Sequence, residues 1–108
     1  MKLLIGIINS DDSSDLLSEI TKASFRATKL ATSGGFLRAG NVTVLVGVED
    51  ERVDELVSIF EKCCSKRVQT VPTVPAFIGE GFLNTAPVQI TIGGATIFII
   101  DVDRYIKL

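Results

Sequence analysis

A chain of 108 residues that is 46% hydrophobic and 22% charged, with its charges interspersed, carries enough apolar material for one packed domain and too much for a disordered segment. Its formal net charge is −2 and its longest basic run is Lys66-Arg67, which excludes the electrostatic footprint of a protein that binds DNA or RNA. With no histidine and only Cys63 and Cys64 as thiols a zinc site lacks its preferred ligands, and no apolar run approaches the ~20 residues that cross a bilayer.

Lys2 to Asn9 (KLLIGIIN) is an almost unbroken apolar run, the pattern of a strand covered on both faces. Asp11-Asp12-Ser13-Ser14-Asp15 then supplies N-cap candidates and acids for a first helical turn. Leu16, Leu17, Ile20 and Ala23 recur along one side, which predicts an amphipathic helix of about 11 residues. The early Asn9-Ser10-Asp11-Asp12 is unlike a secretory signal, so a cytoplasmic location is expected.

Phe25 to Thr32 (FRATKLAT) alternates, with Phe25, Ala27 and Ala31 on one face and Arg26, Thr28, Leu30 and Thr32 on the other. Val42 to Val48 (VTVLVGV) alternates too, with valine at every even position and Thr43, Leu45 and Gly47 between. The stretch joining these two strands, Ala31 to Asn41 (ATSGGFLRAGN), is unlike a hairpin turn, which is short and polar. It presents Phe36 and Leu37 between Gly34-Gly35 and Gly40, the makings of a hinged flap with a face for something flat.

Glu49-Asp50-Glu51 precedes a second helix, whose stripe Val53, Leu56, Val57, Phe60 and Cys64 runs down to Lys66-Arg67 at the negative end of its dipole. Vicinal cysteines on a helix diverge by ~100°, so Cys63 and Cys64 read as core and helix-edge residues and not as a disulfide. Residues 68–86, with Pro72, Pro75, Gly79 and Gly81 and no period, predict a long excursion that begins in a short extended piece. Val88 to Ile92, Gly93-Gly94 and Ala95 to Val102 predict a hairpin with a two-residue turn.

The order β-α-β-β-α-(loop)-β-β matches a ferredoxin-like α+β domain (βαββαβ) spanning 1–108, an antiparallel sheet with two helices on one face, plus an additional C-terminal strand. The uncovered face of such a sheet should alternate apolar and polar, yet Leu3 to Ile8 and Ile97 to Ile100 are apolar at successive positions, and Leu30 and Leu45 join them. Each left exposed would forfeit ~1.5–3 kcal/mol, so a second copy of the chain is expected to cover that face. Parity puts Arg26, Thr28, Asn41 and Gly47 there as well, either as polar contacts between subunits or as a pocket at their boundary. Arg26 suits a phosphate, Asn41 a base edge, and Gly47 a close approach.

Enzymatic signals are weak, and neither catalysis nor a metal or organic cofactor is expected. Asp101 and Asp103 share a strand face with no accompanying pocket signal, and no phosphate-binding loop, zinc-protease or nucleophile-elbow sequence occurs.

The run Phe25 to Asn41 (FRATKLATSGGFLRAGN), with Val46-Gly47-Val48, Arg52-Val53-Asp54-Glu55 and Gly93-Gly94-Ala95-Thr96-Ile97-Phe98, resembles the cyclic-di-AMP receptor family of PII-like signalling proteins, in order and over essentially the whole chain. The resemblance implies a homotrimer of ferredoxin-like subunits that binds one cyclic-di-AMP in each cleft between neighbours. It also implies a change of loop conformation read by a downstream protein partner, with no catalysis and no membrane insertion. On the same basis Arg26, Ala27 and Thr28 line the ligand site, Gly35, Phe36 and Leu37 cover a base, Asn41 hydrogen-bonds the ligand, and Gly47 with Gly93-Gly94 allows close backbone approach. Ser24 stands where the family often has Asn, and Asp101 to Leu108 (DVDRYIKL) departs from its usual tail. The alternative is a PII-like trimeric adaptor that docks a partner through loops such as Ala76 to Leu83 (AFIGEGFL), or a receptor for a different nucleotide.

Overall fold

In the computed structural model, which describes residues 1–30, 40–71, 77–78, 81–82 and 88–108, the first apolar run forms β1 (Lys2–Asn9). Asn9 ends this strand and starts the next element, because its side-chain oxygen accepts the backbone N–H of Asp11 at 2.9 Å and so caps α1 (Ser10–Lys22). The cap therefore lies ahead of the acidic cluster, the helix has 13 residues, and Asp12 is released from a capping role and buried. The chain continues through β2 (Ala27–Leu30), β3 (Asn41–Val48) and a single 3-10 turn (Asp50–Arg52) into α2 (Val53–Cys63). Then come β4 (Arg67–Val71), the short β5 (Phe77–Ile78) and β6 (Gly81–Phe82), β7 (Val88–Ile92) and β8 (Ala95–Asp101).

The main sheet has the order β2-β3-β1-β8 with every neighbouring pair antiparallel, which is the ferredoxin-like arrangement. The valines at the even positions of β3 are buried with Leu4 and Ile8 of β1, and they pack beneath Leu16, Ile20, Leu56, Phe60 and Cys64 of the helical layer and its C-terminal end. Gly6 lets the ring of Phe60 lie directly on the sheet, since a Cβ there would stand 2.5 Å from Phe60 Cε1.

The expected hairpin over 88–102 does not form. β7 pairs with β4 as a separate ribbon, whereas β8 pairs with β1 over seven residues, from Ala95 opposite Ile8 to Asp101 opposite Lys2. Gly93 and Gly94, with φ of 83° and 84°, carry the chain from the ribbon to the sheet. The physical reason is that β8 gains more from its apolar register on β1 than from a local turn. The additional strand is thus Val88–Ile92, and the C-terminal strand is the fourth of the ferredoxin-like sheet; the extended piece expected at the start of the excursion is β4.

The face opposite the helices is apolar, as its sequence requires. One row across it runs Thr28, Leu45, Ile5, Phe98, and the next carries Gly47, Leu3 and Ile100. Leu30, Phe98 and Ile100 are 41%, 54% and 47% exposed, far more than core side chains of their kind.

Candidate ligand-binding site

The strand that carries Arg26 and Thr28 leaves α1 through a tight turn. Ser24 takes a φ of 67°, unusual for a residue with a side chain, while the backbone N–H groups of Ser24 and Phe25 return to the carbonyls of Thr21 and Ile20 at 3.0 Å each. Arg52 clamps this turn from the other side. Its Nη2 donates to the Ala23 carbonyl at 2.8 Å, its guanidinium stands 3.9 Å from the Phe25 ring centroid, and Nε and Nη2 donate to the two Glu55 oxygens at 3.0 Å. The same hydrogen bonds hold the Glu55 carboxyl below its ordinary range.

Beyond that turn, alternation sorts the strand. Arg26 and Thr28 are exposed on the open face, whereas Ala27 is half-buried against the core and has only its backbone to offer a ligand. Arg26 and Gly47, with Met1 and Tyr105, border two adjoining clefts of about 370 and 350 Å³. The first is also lined by Ser24, Arg52 and Lys107, and the second by Thr28 and Leu45. The space left at Gly47 is shared with Met1, whose Cε would lie 3.1 Å from a Cβ at that position.

Asn41, Gly93 and Gly94 come together elsewhere, in a cavity of about 400 Å³ with Asn9, Lys66 and Thr91. Asn41 and Gly47 point to the same face of β3 but lie at its two ends, six residues and so ~20 Å apart. One chain therefore presents the expected residues as two groups. Lys66 follows the backbone of Gly94, where a Cβ would meet its Cγ at 2.9 Å, and the bare Cα of Gly93 is used within the chain, 2.7 Å separating a Cβ there from the Ser65 carbonyl. Gly35, Phe36 and Leu37 lie outside the described residues.

Several contributors were not legible as site residues. Asp12 is buried beside this cavity, accepts from Arg67 Nη2 at 2.7 Å through Oδ1, and has no partner for Oδ2 among the described residues. Arg67 thus serves the start of α1, not the end of α2. Burial, with Asp12 as a further cause, pushes the Cys64 thiol up to about 11, so it stays protonated and inert. Asp101 pairs with Lys2, and Asp103 is exposed. Tyr105, the chain's single tyrosine, had a visible signal in being a lone aromatic after an apolar strand. Among the described residues no group of three or more His, Cys, Asp or Glu side chains could hold a metal ion, and no helix is long and apolar enough to cross a membrane.

The fold and these clefts define an α+β domain of ferredoxin-like order with cationic, polar recesses at both ends of its central strand β3. The chain belongs to the cyclic-di-AMP receptor family, whose sequence profile matches residues 1–108, the whole chain. It is also similar to the crystal structure of a functionally unknown protein from Pediococcus pentosaceus ATCC 25745, with 33% identity over 99% of this chain and 96% of that one and a TM-score of 0.75. The family implies cyclic-di-AMP as the ligand.

Proposed function

We propose that the protein is a non-catalytic, PII-like cyclic-di-AMP sensor that works as a cytoplasmic homotrimer, binds its ligand at the boundary between neighbours, and passes occupancy to a protein partner through its loops. The observation that carries this reading is that Arg26, Thr28 and Gly47 share one cleft with Leu3 and Leu45 of the apolar face. A neighbour seated on Leu3, Ile5, Leu45 and Phe98 would bury that face and wall the clefts. It would also let the Asn41 end of one subunit approach the Arg26 end of the next, joining groups that one chain keeps ~20 Å apart. Arg26 then pairs with a phosphate, Thr28 and Asn41 hydrogen-bond the ligand, the backbones at Ala27, Gly93 and Gly94 approach it, and the Gly35-Phe36-Leu37 flap covers a base.

Titration calorimetry with cyclic-di-AMP, alongside light scattering for the mass of the assembly, tests this directly. Ligand at ~100 times its dissociation constant adds ~2.7 kcal/mol of stability, so a thermal shift is expected with cyclic-di-AMP and little with ATP or linear di-AMP. Replacing Phe36 by Ala should cost ~1–3 kcal/mol of binding. A trimer that takes up no nucleotide would be the interaction adaptor instead, and a shift with another nucleotide alone would reassign the ligand.

A further inference from the structure

We infer that Lys66 is the cation of the Asn41 cavity and pairs with one phosphate of the ligand, its stem seated on the bare Cα of Gly94. This rests on the cyclic-di-AMP reading. A cyclic dinucleotide carries two phosphates, and Arg26 is the one cation assigned to them so far. The clefts that hold Arg26 lie at the Gly47 end of β3, ~20 Å from Asn41. The residues assigned at the Asn41 end, which are Asn41, Gly93 and Gly94, bring no charge of their own.

The cavity lies where β1 ends, with Asn9 opposite Asn41 on β3 and Ile8 opposite Ala95 on β8. Its polar side chains are those of Asn9, Asn41, Lys66, Thr91 and Thr96, so among the described residues one cation and no acid line it. Asn9 commits its side-chain oxygen to the Asp11 N–H, which leaves its amide nitrogen as a donor. With the two threonine hydroxyls, the wall offers donors around a single positive charge, which suits a phosphate oxygen.

The basic pair Lys66-Arg67 is divided between two tasks. Arg67 turns to the buried Asp12, which accepts its Nη2 at 2.7 Å. Lys66 makes no ion pair among the described residues, although Glu61 lines a neighbouring groove that Lys66 also borders. Its stem lies along Gly94, where a Cβ would meet Cγ, Cε and Cδ at 2.9, 3.4 and 3.7 Å. Three stem carbons are thus ranged over one glycine, and a side chain at 94 would push them away. A stem already laid against the backbone loses less rotamer freedom when its ammonium pairs than one waving in solvent.

Calorimetry with cyclic-di-AMP at several salt concentrations, alongside light scattering, tests this on the intact protein. Lys66→Gln should weaken binding ~10-fold, the low end of what a hydrogen bond to a charged group contributes, and should flatten the dependence on salt at an unchanged assembled mass. Lys66→Arg keeps the charge and should retain both affinity and salt dependence. Gly94→Ala should weaken binding in the wild type and add little in the Lys66→Gln chain, because the methyl group displaces a stem that no longer carries a charge. If Gly94→Ala fails to fold, the two lysine variants decide alone. A Lys66→Gln chain with wild-type affinity and salt dependence would overturn the inference and leave the receptor reading standing. So would a loss of affinity with the salt dependence unaltered or with the assembled mass reduced, since Lys66 would then be a structural support. No calorimetric binding by the wild-type chain overturns both readings.

Discussion

Replacing Arg67 by Met should destabilise the protein far more than an exposed ion pair normally allows. Surface pairs contribute ~0–1 kcal/mol, but here the partners are unequal: the Arg67 side chain is 43% exposed and that of Asp12 only 7%. Met keeps the stem and removes the guanidinium, so both Asp12 oxygens are left buried with no partner among the described residues. An uncompensated buried charge costs ~3–5 kcal/mol. Two effects reduce that figure, since the start of α1 still favours an anion by ~0.3–1 kcal/mol and water enters from the side that Arg67 vacates. The expectation is about 2–3 kcal/mol. The reverse change, Asp12→Asn, leaves a half-exposed guanidinium that water can solvate, and should cost ~1 kcal/mol. The double variant should then be less destabilised than the sum of the two by ~1–2 kcal/mol. Urea denaturation at one fixed protomer concentration measures all three, and a slope of ~1–3 kcal/mol/M turns the Arg67→Met loss into a midpoint lower by ~0.7–3 M. A midpoint within ~0.3 M of wild type, or strict additivity, would refute the asymmetry.

Gly6→Ala should lower the melting temperature by at least ~4 °C, because the new methyl group collides with the fully buried Phe60 ring and overpacking costs ~1–3 kcal/mol; a higher melting temperature would show that the ring has room to yield. Arg52→Lys keeps the charge but loses the fork that joins Ala23 and Glu55, and should cost ~1 kcal/mol by chemical denaturation, with no loss expected if the turn at Ser24 holds without the clamp. Cys64 has its folded pKa raised from 9.0 to about 11, so its contribution is complete below pH 9.0 and is lost as pH rises towards about 11. Stability measured from pH 7 to 11 should therefore fall more steeply for the wild type than for Cys64→Ala, and equal slopes would disprove the assignment to this thiol.

The elements that were legible in the sequence are those whose side-chain period matches their surroundings. The four valines of β3 and the stripe of α2 each face a single environment, and the same parity put Arg26 and Thr28 on the open face and Phe25 in the core. Parity names a face and not a position along it, which is why Asn41 and Gly47 read as neighbours in a pocket although they occupy opposite ends of β3. The Gly-Gly turn misled for a different reason: a local signal competes with register, and the seven pairs between β8 and β1 are invisible to a reading that looks only at adjacent residues. Asp12 was hidden by the same limit, since its partner lies 55 residues away. Tyr105 and Lys107 sit in a tail with no period, so only coordinates bring them beside Arg26.

The ribbon β4–β7 leaves the body of the protein through two segments, 65–67 and 93–94, and these segments also bound the Asn41 cavity. Lys66, Gly93 and Gly94 line it, while Ser65, Arg67 and Asp12 crowd the Cα of Gly93 from behind. Each glycine has a positive φ and a neighbour where a side chain would stand, the Ser65 carbonyl and the Arg67 guanidinium at Gly93 and the Lys66 side chain at Gly94. Whatever fills the cavity thus meets the root of the ribbon and not some remote wall. The link between cavity and ribbon therefore spans a single layer of residues, a much shorter path than the ~20 Å that separates the cavity from the Arg26 clefts.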